Sequence, residues 1–146
     1  YKSLSIQRTA SLLESICIHY PNEKIGLLSS PTTQATAKEI IDVTANKNVT
    51  LIENMNSIYD VANVIARSKL VVSVDTAIVH IAVGLNKRLV SIFPKNDESF
   101  NPWIPRKTAE IEVIISVGDS EIVNLNNFKN TEIIEAIERI CSLSLR

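Results

Sequence analysis

The sequence predicts an α/β domain built on a doubly wound parallel sheet. Three observations predict it. Short apolar runs of strand length alternate with helical stripes along most of the chain, the spacing a helix needs to cross between parallel strands. One run, residues 69–74 (KLVVSV), is β-branched and apolar without alternation, as in a strand covered on both faces. And 146 residues suffice for one domain with a substantial core, but not comfortably for two.

The elements follow in order. Residues 6–18 carry apolar side chains at 6, 10, 12, 13, 16 and 18, with Arg8 and Glu14 outside, and read as a helix closed by Pro21-Asn22. Residues 24–29 (KIGLLS) form a short strand. The turn Ser30-Pro31-Thr32-Thr33 leads into a helix over 34–45 and a strand over 49–52. Ser57 is placed as an N-cap with Asp60 as its first-turn partner. The helix after it runs to about residue 68, with Ile58, Val61, Ala62, Val64 and Ile65 facing inward.

After strand 69–74 comes a short helix over 76–84, stopped near Gly84, and then strand 88–93 (RLVSIF). Residues 94–105 hold three prolines and Trp103, a loop long enough to be functional. Strand 111–117 and an amphipathic helix over 131–143, with Ile133, Ile134, Ile137 and Ile140 on one face, close the series. The outer faces carry Lys38-Glu39 and Glu132, Glu135, Glu138 and Arg139 as solvated charges. The series opens on a helix and the first residue is Tyr1, so at least one strand is expected upstream.

Composition excludes several classes. The chain is 45% hydrophobic and 21% charged, with net charge -1 and 5% aromatics. It has no basic block longer than the Lys87-Arg88 pair, so a nucleic-acid partner is not expected. The longest apolar tract, 70–85, is interrupted by Ser73, Asp75, Thr76 and His80 and does not suit a membrane span. Cys17 and Cys141 form no metal or redox spacing and read as reduced thiols. No metal-ligand cluster and no cofactor motif stand out. The lack of G-x-G-x-x-G after any strand argues against a dinucleotide-dependent oxidoreductase.

The informative stretch is VVSVDTAIVHIAVGLNKRLVSIFP, residues 71–94. Asp75 falls where a strand ends and a helix begins. Ligands of open α/β sheets bind at such points, and helix N-termini suit phosphate. Asp75 can cap the helix through the N–H of Ala77 or Ile78, or it can accept from a ligand hydroxyl. The Thr76 hydroxyl can donate to a phosphate. His80 lies one helical turn beyond Thr76 on the same face, among apolar neighbours, so an internal hydrogen-bond partner is expected for it. Trp103 either covers a bound nucleotide or packs its own loop, and Asp97 and Glu98 read as solvated loop charges.

Taken together, this segment resembles the D-T-G-x-x-H-x-A-A-x-x-x-x-P-x-V-x-L-F-G-P segment of glycosyltransferase family 9, the bacterial heptosyltransferases of the lipopolysaccharide inner core. Asp75, Thr76, His80, Ala82 and Phe93 match in register. Asn56-Ser57-Ile58 with Val61-Ala62 is similar to the family's preceding helix, and Lys2-Ser3-Leu4-Ser5 to its K-x-W-P start. The likeness covers residues 2–105 and is most specific over 70–94.

The resemblance implies the C-terminal, Rossmann-like, nucleotide-sugar-binding half of a two-domain GT-B enzyme. On that reading residues 1–146 are one domain, without its first strand and without the acceptor domain that carries the catalytic base. Asp75 is implied to contact or order the donor sugar. Thr76 and the Ala77 N–H would contact the diphosphate, as would Lys2, and His80 belongs to the same donor site. Met55 and Asn56 lie where the family places base and ribose. The implied partners are a nucleotide diphosphate sugar, ADP-heptose being favoured, and a lipid-linked saccharide acceptor. The implied location is the cytoplasm, at the inner face of the membrane.

The chain departs from the family at Ala77, where glycine is usual and a methyl is expected to limit the approach of a phosphate. Asn86-Lys87-Arg88 replaces G-x-P, Pro94-Lys95-Asn96-Asp97 replaces G-P-T-D-P, and Ser-Pro follows Ser29 where a glycine is frequent. A second function class fits these losses: a non-catalytic α/β interaction module that kept the fold.

Overall fold

The computed structural model describes residues 3–95, 101–108, 110–116 and 125–142. Contacts divide the chain into two compact units. One is Ser5–Val61, and the other is Ala62–Arg146 with Tyr1–Leu4. The expected alternation of helices and strands is present, and every strand pairing is parallel. The ladders form a pair in the first unit and a triple in the second.

The first unit starts with α1 (Ile6–His19). Ser5 accepts from the Arg8 N–H at 3.2 Å and caps it. The strands β1 (Ile25–Leu28) and β2 (Val49–Ile52) pair in register from Ile25 with Val49 to Leu28 with Ile52, joined through α2 (Gln34–Thr44). Leu13 and Cys17 of α1, Ile40 of α2 and Val49 of β2 form the core. Ile18, expected on the α1 stripe, is 75% exposed. Ala10, Leu13 and Cys17 follow the helical repeat, and Ile18 lies a residue off it. Burial, with a further push from Glu14, raises the Cys17 thiol above its ordinary pKa and keeps it protonated.

The helix α3 (Ile58–Arg67) leads into the second unit. Its capping box forms as expected. The Asp60 carboxylate accepts from the backbone N–H and the hydroxyl of Ser57 at 2.9 and 2.8 Å, and the Ser57 oxygen accepts from the Asp60 N–H at 3.2 Å. Of the stripe expected to face inward, Ile65 is fully buried and Ile58 is exposed, so the first turn is covered less than the last.

The second unit is a sheet ordered β3 (Val71–Val74), β4 (Leu89–Pro94), β5 (Ile111–Ser116). The strand buried on both faces is β4, not β3 as the sequence suggested. It holds the middle of the sheet, with ladders on both sides, whereas among the described residues β3 has a ladder with β4 only. The closing helix α5 (Asn130–Ser142) buries Ile133, Ile134, Ile137 and Ile140, each contributing about 1.5–3 kcal/mol.

The helix α4 (Ala77–Gly84) turns back from β3 to β4. Gly84 is its last residue, as expected, but glycine's backbone freedom is not what stops it. Gly84 has no positive φ, and a Cβ there would meet nothing within 4 Å. The left-handed residue is Asn86 at φ 52°. The Lys87 N–H donates to the Ala82 carbonyl at 2.9 Å and the Asn86 N–H to the Val83 carbonyl at 3.0 Å, a Schellman closure. Asn86 stands where the family carries glycine and does the same conformational work, because its short polar side chain tolerates this region.

Candidate donor site

The site grows from the junction of β3 and α4. The Asp75 N–H still donates to the Ile92 carbonyl at 3.0 Å, so Asp75 prolongs the sheet ladder. The N-cap is therefore Thr76 and not Asp75, a correction of one residue. Thr76 has extended backbone and its side chain gives the first turn no hydrogen bond. Its hydroxyl lies 3.2 Å from that of Ser73 instead. The Thr76 side chain thus takes none of the first-turn N–H groups, and the start of the helix carries the partial positive charge of its dipole.

Asp75, Thr76, Ala77, His80 and Trp103 line a cleft of about 460 Å³, a size typical of small-ligand sites. Asp75 is 3% exposed. The helical repeat explains the gathering. Val79 and Ala82 point into the core, which turns residues 76, 77 and 80 together toward the cleft. His80 is consequently exposed rather than buried among apolar neighbours. Its ring meets Trp103 edge to face, with centroids 6.0 Å apart at 72°. Trp103 ends a single 3-10 turn, Asn101–Trp103, and is 61% exposed, so it does not pack its own loop down.

Ala77 needs no glycine for its backbone, because it is not among the residues with positive φ. Its side chain is exposed and lines the cleft, so the departure at this position changes space rather than conformation.

Of the other residues singled out, Met55 and Asn56 lie in the first unit, on the loop at the carboxyl end of β2. The Asn56 N–H there donates to Asp60 at 3.1 Å. Lys2, Asp97 and Glu98 lie outside the described residues.

The sequence reading overlooked a second buried carboxylate, Glu112 on β5. Lys107 Nζ reaches its Oε2 at 2.7 Å and Arg139 Nε its Oε1 at 3.1 Å. Arg139 is thus no mere outer-face charge. Burial would raise the Glu112 carboxyl, but the hydrogen bonds and charges of Lys107 and Arg139 outweigh it and hold the group below its ordinary range. The signal was a lone acid inside an otherwise apolar strand. Among the described residues no group of three or more His, Cys, Asp or Glu could hold a metal ion. No helix among them is long and apolar enough to cross a membrane.

Residues 16–129 match the model of glycosyltransferase family 9 (heptosyltransferase). No curated protein sequence matches the chain significantly. Among solved structures, E. coli heptosyltransferase WaaC with ADP superposes with a TM-score of 0.75 at 21% identity, over 95% of this chain and 40% of that one. The same enzyme with ADP-2-deoxy-2-fluoro heptose gives 0.72 at 22% identity, over 94% and 38%. E. coli ADP-heptose LPS heptosyltransferase II gives 0.71 at 15% identity, over 95% and 42%. The chain therefore spans about two fifths of the length of these structures, and at such identity the likeness is one of fold.

Proposed function

Because the chain belongs to glycosyltransferase family 9, we propose that residues 1–146 are the donor-binding half of an inverting glycosyltransferase that takes a nucleotide diphosphate sugar at the start of α4. The observation that carries this is the convergence of Asp75, Thr76, Ala77 and His80 on one cleft, at a helix start whose N-cap side chain is spent elsewhere.

The reaction displaces a nucleoside diphosphate from the anomeric carbon of the sugar as an acceptor hydroxyl attacks the opposite face. The C–O bond to the β-phosphate breaks and its electron pair stays on that oxygen. Negative charge grows there, where the helix N-terminus and the Thr76 hydroxyl would receive it. A buried carboxylate such as Asp75 repels the phosphates and suits the donor's sugar hydroxyls, as a charge-assisted acceptor. As the family resemblance implies, Lys2 is proposed to pair with the diphosphate, and Met55 and Asn56 to recognise the base and ribose.

ADP-heptose is the proposed donor, supported by the ADP and the fluorinated ADP-heptose in the E. coli structures. The proposed acceptor is a lipid-linked core saccharide at the inner face of the membrane. The base that deprotonates its hydroxyl is assigned to the acceptor half of the enzyme.

Calorimetric titration of ADP, UDP, GDP and ADP-heptose into the chain tests the reading, beside an Asp75→Ala, Thr76→Ala variant checked for fold by circular dichroism. Preferential binding of the adenine ligands, lost in the variant, is expected. A folded wild type that ignores every nucleotide would overturn the proposal in favour of an interaction module.

A further inference from the structure

Trp103 is the chain's one tryptophan, and the donor reading leaves it without a task. It stands in water to 61% of its surface at the rim of the cleft, an arrangement that forgoes much of the burial an indole usually gains. Its position is nonetheless built. Pro102 immediately before it fixes one backbone torsion of the 3-10 turn. Ile104 and Pro105 after it are half-buried, and the His80 ring braces one side of the indole. An exposed aromatic held in this way presents a ready-made flat apolar surface to the cleft.

The rest of the lining says what that surface meets. The cleft carries a buried carboxylate, Asp75, and among the described residues its lining includes no lysine or arginine. A phosphate beside Asp75 would be repelled, so the diphosphate belongs at the helix start and not in the space between Asp75 and the rings. A neutral polyhydroxylated ring fits that space. Its hydroxyls donate to the carboxylate, and its C–H face lies on the positive-seeking face of an aromatic system.

We propose that Trp103, braced by His80, is the specificity wall for the sugar of the donor, so that it separates a nucleotide sugar from the bare nucleotide. This rests on the donor reading above and deepens it. Trp103 is a binding residue here and takes no proton.

The test is titration of ADP and of ADP-heptose into the wild-type chain and into Trp103→Ala, Trp103→Phe and His80→Ala variants. Indole emission is recorded in the wild type. Trp103→Ala is expected to weaken ADP-heptose about three- to tenfold while ADP stays within about twofold. Trp103→Phe restores most of the loss, since it keeps a flat ring, and His80→Ala gives a smaller loss of the same kind. ADP-heptose shifts the emission more than ADP does. Equal weakening of both ligands would mean that the indole stacks on the base, and would overturn the sugar assignment. So would an unchanged affinity for both. A folded wild type that binds neither ligand overturns the donor reading itself, a result distinct from either of these.

Discussion

The two ends of the three-stranded sheet use the same materials for opposite ends. At the amino end of β5, Glu112 is 8% exposed in its side chain and held by Lys107 and Arg139. Nearby chain reversals are closed as well. Asn86 completes the Schellman turn, and Lys87 Nζ donates to the Ala66 carbonyl at 3.0 Å. At the carboxyl end of β3, Asp75 is as deeply buried, but it lines a cleft whose other walls are a threonine, an alanine, a histidine and an exposed tryptophan. One end ties its polar groups to cations of the same chain, and the other gathers polar groups along a cleft. Burial of a carboxylate is thus no sign of function until the groups around it are known: cations from the same chain hold Glu112, whereas Asp75 lines an open cleft.

The largest effect that would sharpen this contrast is on Glu112. Glu112→Gln removes two charge-assisted bonds and is expected to cost about 1.5–3 kcal/mol of stability, read as a lower urea midpoint. Its carboxyl lies lower in the folded chain than the ordinary value of about 4.3. Its contribution is therefore complete above that value and disappears as pH falls through the folded one. The wild type should lose stability on that acid limb, and the Gln variant should lose less. A midpoint in the variant equal to that of the wild type at neutral pH would break the contrast.

Asp75→Asn should do the reverse, at a somewhat smaller scale. The amide is isosteric, so the midpoint is expected to move little, while ADP-heptose binding weakens about tenfold, or about 1.4 kcal/mol. Loss of fold with no change in binding per folded molecule would place Asp75 with Glu112, as a structural group.

A second pair compares helix starts. Ser57→Ala removes a hydroxyl that caps α3 and should cost about 1 kcal/mol with nucleotide affinity unchanged. Thr76→Ala removes one that caps nothing, so stability should hold while affinity falls, by calorimetry on both variants. Equal stability losses would mean that α4 is capped by its threonine after all.

The smallest effects concern the two departures from family glycines. Asn86→Ala should cost about 1 kcal/mol and Asn86→Gly close to nothing, because the position requires left-handed backbone. Ala77→Gly should leave stability within about 0.5 kcal/mol and tighten ADP a few fold by removing a methyl from the cleft. If ADP binds no better to the glycine variant, the methyl does not face the phosphate.

What the sequence determined by itself is the material of the fold and the position of the candidate site along the chain. Periodicity is a local property, so the helices and strands fell within one or two residues of their expected bounds, and Ser57 with Asp60 announced a cap that forms. The placing of Asp75, Thr76, Ala77 and His80 together was equally local, since one turn of helix joins them.

Only the tertiary structure decided which strand is central and which side of each helix meets the core. Those depend on partners distant in sequence. Hence β4 and not β3 is covered on both faces, Ile18 and Ile58 are exposed, and His80 turns outward. The same holds for the groups that meet across the sequence. Arg139 reaches Glu112 over 27 positions, and Trp103 meets His80 over a similar interval of chain. No local pattern records such meetings, because what selects them is the packing of the whole sheet.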